Sequence, residues 1–542
     1  YYYSLNWEKL YFNAFLTFFL FIRDVFCSTQ NLKKSPEGTL ISKIFPFLQK
    51  IVNEMLKNSQ LGEIIISTSD KSLSRDISRL KSEGRIKKIA ARVYTSNLTD
   101  SPEEIVKRNL FDILGRLFPD SVISHRSAFE LRPTEDGHIF LTYQYSRNIS
   151  LPGITVHLIE GYGAISSDIP FISNLHISSP SRAFLENLQL SYQKGGVSKC
   201  LTQSDIEQRL EKKLDINGET ELNRIRDDAR VISEQLGLKQ EFLLLDKIIG
   251  ALLSTREAAI LKSESAIARA IGQPFDSERF RLFDIFFNYL SNKEFVAYPE
   301  KNLSEKAYKN FGFFESYFSN YIEGTTFEIE EARRIVETGV PIPTRDEDSH
   351  DVLGTFYIVS SKKEMSVTPK SYDELIEILR KRHSLLLSAR PWKNPGMFKE
   401  SNNRAGDSHF VDYRLVPGTL RKGFEFYQAL SNPIARAYFM LFMISEIHPF
   451  NDGNGRVSRI MMNAELTSSG NSKIIIPTVY RTDYLDALRR LTRANDPSVL
   501  VRAMERVRLF GSMLDGSDYN ALHKFLVDSN AFKEEEQYIL RF

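Results

Sequence analysis

The run Tyr438 to Ile444 carries no charged residue and has no polar face, so the helix it predicts can only lie buried on every side. That helix must stop at His448-Pro449, because proline lacks the N–H that the next turn would need. Beyond the turn, Asp452-Gly453-Asn454-Gly455 leads into a second apolar-periodic stretch through Ile460, Met461 and Met462, which predicts another helix starting near Gly455. Two helices back to back around a tight, glycine-bearing loop form the frame on which the rest of the chain is read.

The residues in that loop are chemically selective. A helix start leaves backbone N–H groups unpaired, and these together with the helix dipole favour an anion. Glycines at 453 and 455 let amides approach a phosphate with no Cβ in the way. Arg456 and Arg459 stand three apart, on one helix face, and both can reach the same polyphosphate with planar donors. Asp452 offers one hard oxygen, which suits a Mg²⁺ ion shared with phosphates rather than a protein cage. His448 is the titratable base of the loop and could take a proton from a hydroxyl attacking the α-phosphate. A plain reversal with solvated arginines would leave this coincidence within twelve residues unexplained.

The stretch from Ile447 to Arg459 is similar, position for position, to the signature of the Fic family, and the resemblance extends from about Ser254 to Ala531. It implies an all-α domain with a β-hairpin flap, acting on ATP with Mg²⁺ and adenylylating a hydroxyl side chain of a target protein. In its terms His448 is the catalytic base, Phe450 anchors the loop, and Asp452 binds the metal. The amides around Gly453 with Asn454 hold phosphates, and Arg456 and Arg459 hold the β- and γ-phosphates. Gly455 stands where a kinase-like branch carries lysine, which favours AMP transfer. Ser319-Asn320-Tyr321-Ile322-Glu323-Gly324, closing an aromatic helix over 311–322, resembles the family's autoinhibitory motif. There Glu323 would take Arg459 from the γ-phosphate, with Ser319 and Gly324 as motif partners. The hairpin-like stretch Asn403 to Val411 would be the flap that aligns the target's backbone. Tyr484 is a candidate adenine neighbour, though its helical spacing favours the core. Two other functions stay open: removal of AMP from the same target, and an ATP-sensing DNA-binding regulator or antitoxin.

Length and composition shape what precedes this domain. A chain of 542 residues exceeds what one core supports, and a net charge of only +2 means that any basic surface is local. Such a surface occurs within 70–92, where eight basic residues stand against three acidic ones. There a helix over Ser72 to Glu83 and two short strands within Arg85 to Tyr94 follow a candidate helix near Ile44 to Leu56, the order of a winged helix. Arg75, Arg79, Lys87 and Lys88 are its candidate DNA contacts. This order, with Ser124-His125-Arg126-Ser127-Ala128, strands over His138 to Tyr145 and Ile154 to Ile159, and Ser179-Pro180-Ser181-Arg182-Ala183, resembles the antitoxin and regulator proteins of abortive-infection type IV toxin–antitoxin systems. The resemblance implies promoter binding. His125 reads as structural, and Gly161-Tyr162-Gly163 as a turn.

The expected organisation is therefore an α+β multidomain chain. It comprises an N-terminal segment over 1–41, a winged-helix domain over 42–100, a mixed α/β module over 101–250, and the Fic-like domain over 254–542. Two cysteines, Cys27 and Cys200, form no disulfide framework, which fits a cytoplasmic protein. Leu10 to Ile22 is too short to span a bilayer, so no membrane partner is expected. A homodimer is compatible with the sequence.

Overall fold

A computed structural model describes residues 61–68, 71–191, 197–535 and 537–542. The segment 1–41, with Leu10 to Ile22 and Cys27, and the candidate helix near Ile44 to Leu56 lie outside the described residues. The chain divides into two compact units, one running to Leu201 with Ile232–Leu238 added, the other comprising Thr202–Val231 and Lys239–Phe542. Helices Gln203–Asn217 and Lys239–Leu252, expected in the 101–250 module, therefore group with the second unit.

In the first unit, β1 (Ile64–Ile66) precedes helix α1 (Lys71–Ser82), then β2 (Lys87–Ala90) and β3 (Val93–Thr95). The three strands form an antiparallel sheet in the order β1-β3-β2. Ile77, Leu80 and Ile86 make a small core beneath α1, and Gly84, at a φ of 68°, takes the left-handed turn that releases the chain toward β2. A six-stranded mixed sheet follows. Its strands are β4 (Val122–Ile123), β5 (His138–Tyr143), β6 (Arg147–Leu151), β7 (Ile154–Glu160), β8 (Ile169–Pro170) and β9 (His176–Ile177), in the order β6-β7-β5-β4-β9-β8. β5 and β7 pair in parallel, and β6 lies antiparallel at the edge. β6 has no counterpart in the sequence reading, because its residues Arg147, Asn148 and Ser150 are exposed and lack the alternating apolar pattern of a half-buried strand.

Two expectations for this unit resolve as structure. His125 is buried, with Nδ1 2.9 Å from Ser124 Oγ and Nε2 3.2 Å from the Gln189 side chain, so it serves the core. Burial pushes its imidazole down to about 4. The buried Arg182 pairs with Asp168 and Glu186 and donates to the carbonyls of Tyr162 and Gly163, which gives the Gly161–Gly163 turn its fixed course.

The second unit is mostly helical. Three of its helices matter for the site: α2 (Glu305–Ile322), α3 (Pro433–Ile447) and α4 (Asn454–Ser468). At the centre α3 packs against α4, as the patterning requires. Pro433 occupies the first turn of α3, where Asn432 caps two N–H groups, and nearly every residue from Ile434 to Ile447 is buried. Among the described residues, no helix is long and apolar enough to cross a membrane.

Candidate active site

The loop between α3 and α4 is held in two left-handed conformations. His448, at φ 54° and ψ 59°, ends α3, and Gly453, at φ 72°, caps α4, which begins one residue earlier than expected. A non-glycine residue rarely adopts the first of these, so the loop holds His448 in place against a local preference. Phe450 fills the core beneath the loop and is fully buried. Asn454 clamps it from both sides: Phe450 N–H donates to Asn454 Oδ1, and Asn454 Nδ2 donates to the Phe450 carbonyl, each at 2.9 Å. The Asn454 side chain is thus taken up by the loop, and its backbone N–H stands at the helix start.

His448 has the chemistry of a base. Its Nδ1 lies 3.2 Å from the Ser445 carbonyl, which can only accept, so the proton sits on Nδ1 and Nε2 keeps its lone pair. Burial holds the imidazole down to about 4, aided by the charge of Lys399, against the opposing pull of Glu323 and Asp452. At neutral pH it is an uncharged acceptor. Asp452 accepts the Gly453 N–H at 2.7 Å through Oδ1 and faces Lys393 Nζ at 3.3 Å through Oδ2.

The two arginines are both buried and both occupied. Arg456 Nη1 pairs with Asp351 at 2.8 Å and donates to Asn320 Oδ1 at 3.2 Å, while its buried Nε has no hydrogen-bond partner among the described residues. Arg459 Nη2 reaches Glu323 Oε1 at 2.8 Å and the Ser319 carbonyl at 2.8 Å, and its Nε donates to Ser319 Oγ at 3.0 Å. Burial works against the Glu323 charge, yet Arg459 and Arg456 hold its carboxyl below the usual range.

Residues 372–466 match the family model described as the Fic/DOC family. They form a Fic domain. Proteins named protein adenylyltransferase Fic are its relatives: that of Nematostella vectensis is 29% identical over 254 residues, covering 44% of this chain and 54% of its own. That of Aedes aegypti is 28% identical over 225 residues, covering 40% and 44%. The chain thus spans about half the length of the curated relatives it matches. Among solved structures, a Fic domain containing signaling protein from Bacteroides thetaiotaomicron is similar at 18% identity and a TM-score of 0.36, covering 45% of this chain and 97% of that one.

Around the Fic domain's loop the fold gathers residues that sequence reasoning missed. His383 stacks flat on Phe450, with ring centroids 3.8 Å apart. Its Nδ1 accepts the Gly396 N–H, so Nε2 carries the proton that meets the Asp452 carbonyl at 3.1 Å. The backbone N–H of Lys399 donates to the Pro449 carbonyl, and its ammonium donates to Asn403, whose amide in turn donates to the Phe450 carbonyl. Asp351 joins Arg456 to Arg390. No motif spacing announces His383, Lys399, Asp351 or Arg390, since they arrive from other helices and loops.

The Ser319–Gly324 segment closes α2, which begins earlier than the expected residue 311 because Ser304 caps it. Glu315 on this helix is buried in a pair with Lys473 at 2.5 Å and accepts from Asn463 of α4 at 2.8 Å, which fastens the helix to the Fic domain's central pair. Glu323 lies at its C-terminal cap, followed by Gly324 at a φ of 95°. The stretch 403–411 contains a short hairpin, β10 (Arg404–Ala405) and β11 (Ser408–His409). Tyr484 is buried against Arg459 in the core.

Proposed function

We propose that this chain is a protein adenylyltransferase that moves AMP from ATP to a hydroxyl of a protein target and is restrained by its own Glu323. The observation that carries the reading is the neutral His448, with its lone pair on Nε2, set in one loop with the amides of the α4 start and the two arginines. The hydroxyl oxygen forms a bond to the α-phosphorus as its proton passes to His448 Nε2. The bond from that phosphorus to the bridging oxygen breaks, and pyrophosphate leaves. Arg456 and Arg459 bind the β- and γ-phosphates, and the hairpin at 404–409 aligns the target chain.

Asp452 fits a shared Mg²⁺ ion. Its Oδ2 already faces a cationic group, and among the described residues no cluster of three or more His, Cys, Asp or Glu could hold a metal alone. When bound with the nucleotide, Mg²⁺ neutralises charge on the phosphates.

A second activity is supported for the first unit. Helix α1 with the β2–β3 hairpin has the order of a winged helix, and Arg75, Arg79 and Lys88 are exposed on it, as DNA contacts would be. Lys87 is partly engaged, its ammonium donating to the Asp100 carbonyl at 2.8 Å, and Arg79 pairs with Asp76 at 3.0 Å.

The adenylyltransferase reading is tested by incubating the chain and its Glu323→Gly variant with labelled ATP and lysate proteins, then measuring intact masses. Addition of one adenylyl group, lost with His448→Ala, is the expected result. No label on any protein with a folded, ATP-binding Glu323→Gly variant would refute it.

A further inference from the structure

We propose that Phe410, the residue that leaves the hairpin after β11, is a positioning residue that sets the His448 imidazole and couples it to the flap. The inference rests on the adenylyltransferase reading for its consequence, but not for its geometry. The Phe410 and His448 rings lie face to face, with centroids 3.6 Å apart and planes inclined by 5°.

Both neighbours of Phe410 are fixed. The His409 carbonyl accepts from Arg279 Nη2 at 2.7 Å, and Arg279 Nε pairs at 2.9 Å with Glu446, two residues before His448. Val411 is fully buried. Arg279 therefore ties the end of the hairpin to the end of α3, and Phe410 is carried onto the imidazole from a strand that is held at both sides. The Ser445 carbonyl then fixes rotation of the imidazole in its own plane, and the Phe410 face fixes its tilt. The remaining loop contacts reach the backbone at Pro449, Phe450 and Asp452 and leave the ring itself free to tilt.

The stack can act on the imidazole in two opposed ways. Covering one face excludes water and disfavours the imidazolium, whereas an aromatic face attracts a cation. Burial is the larger influence on His448. Other charged groups near it are Lys399, Glu323 and Asp452, and none of these belongs to the hairpin strands. Removing Phe410 therefore uncovers the ring without removing a charge.

The test is the pH profile of diethyl pyrocarbonate acylation of His448 in the full chain, read by peptide mass spectrometry. Acylation needs the neutral imidazole, so the parent should show a flat profile from about pH 5 to 7.5. Phe410→Ala should instead slow below about pH 6, a midpoint raised by about one unit or more, while Phe410→Tyr should follow the parent. With the target in hand, Phe410→Ala should lower kcat about tenfold at unchanged ATP affinity, and Phe410→Tyr should restore it. If the alanine variant fails to fold, Phe410→Leu, which keeps cover without a flat face, gives the same comparison through kcat. An acylation profile of Phe410→Ala that matches the parent overturns the inference. Because acylation requires no nucleotide, that failure is distinct from an absence of adenylyl transfer in the parent, which would refute the functional reading instead.

Discussion

Glu323 lies where a side chain at Gly455 would stand. A Cβ added at Gly455 would overlap Glu323 Oε1 and come within 3.1 Å of Arg459 Nη1. The absence of a side chain at Gly455 therefore leaves the space in which the glutamate reaches the second arginine. On the proposed reading, Glu323→Gly should raise adenylyl transfer, seen first as automodification. A charge-assisted contact of this kind is worth about 1.5 to 3 kcal/mol, so the gain should be roughly tenfold or more. Glu323→Asp should release less. Gly455→Ala should displace Glu323 and weaken inhibition, and in a Glu323→Gly background the same change should add little, which a double-mutant cycle of automodification rates measures. Equal effects of Gly455→Ala in both backgrounds would contradict the coupling.

His448→Ala should reduce adenylyl transfer by about 10² to 10⁴-fold while ATP binding stays within a few fold, because in the proposed mechanism the base meets the hydroxyl and the arginines hold the phosphates. Asp452→Ala should lose Mg²⁺-dependent transfer, with partial recovery in excess metal. Kinetics across a Mg²⁺ series, beside a nucleotide-binding isotherm, separate the two. Activity indifferent to a chelator would count against the role of Asp452.

Asp351 holds Arg456 and Arg390 from a buried position. Removing the shared carboxylate leaves a buried guanidinium unpaired, so Asp351→Ala should destabilise the second unit by about 3 to 5 kcal/mol in denaturant unfolding. Asp351→Asn, which keeps a hydrogen-bond acceptor, should cost less. A melting curve unchanged in both would show that Arg456 finds another partner.

Two buried histidines of the second unit work against its stability as pH falls, while the buried Glu465 carboxyl, pushed up to about 7, works the other way. His383 and His448 are both pushed down to about 4 by burial. At these two histidines the unfolded chain binds more protons than the folded one between about pH 6.5 and 4, so their contribution to stability rises with pH across that window and is lost as pH falls through it. Each histidine contributes up to about 3 kcal/mol at the acid end. His383→Gln should flatten this dependence in thermal melts at about pH 4.5 and 7, and an equal slope in parent and variant would refute the assignment.

DNA binding by the first unit should weaken steeply with salt, and charge reversal of Arg75 and Arg79 together should abolish it, whereas Lys87→Ala should change it little because Lys87 is already engaged with Asp100. Mobility shifts across a salt series read all three. Binding unaffected by the double reversal would return the exposed cluster to a solvated surface.

The covalent order of residues was enough to locate the loop chemistry. Pro449 forces the break, Gly453 permits the turn, and Arg456 and Arg459 share a face because of helical periodicity; each of these is a local property, legible within about twelve residues. The helix carrying Glu323 was legible for the same reason, and its pairing with Arg459 came from family resemblance, not from spacing. What only the tertiary structure decided is which distant groups meet the loop. Asp351, His383, Lys399 and Phe410 lie between 38 and 105 positions upstream of the residues they touch, and nothing in their local pattern marks them, because long-range packing, not propensity, brings them there. The structure also gives the side chains of Asn454 and Lys87 partners within the chain, Phe450 and the Asp100 carbonyl. A sequence states which donors and acceptors a residue owns; only the folded chain determines which are already spent.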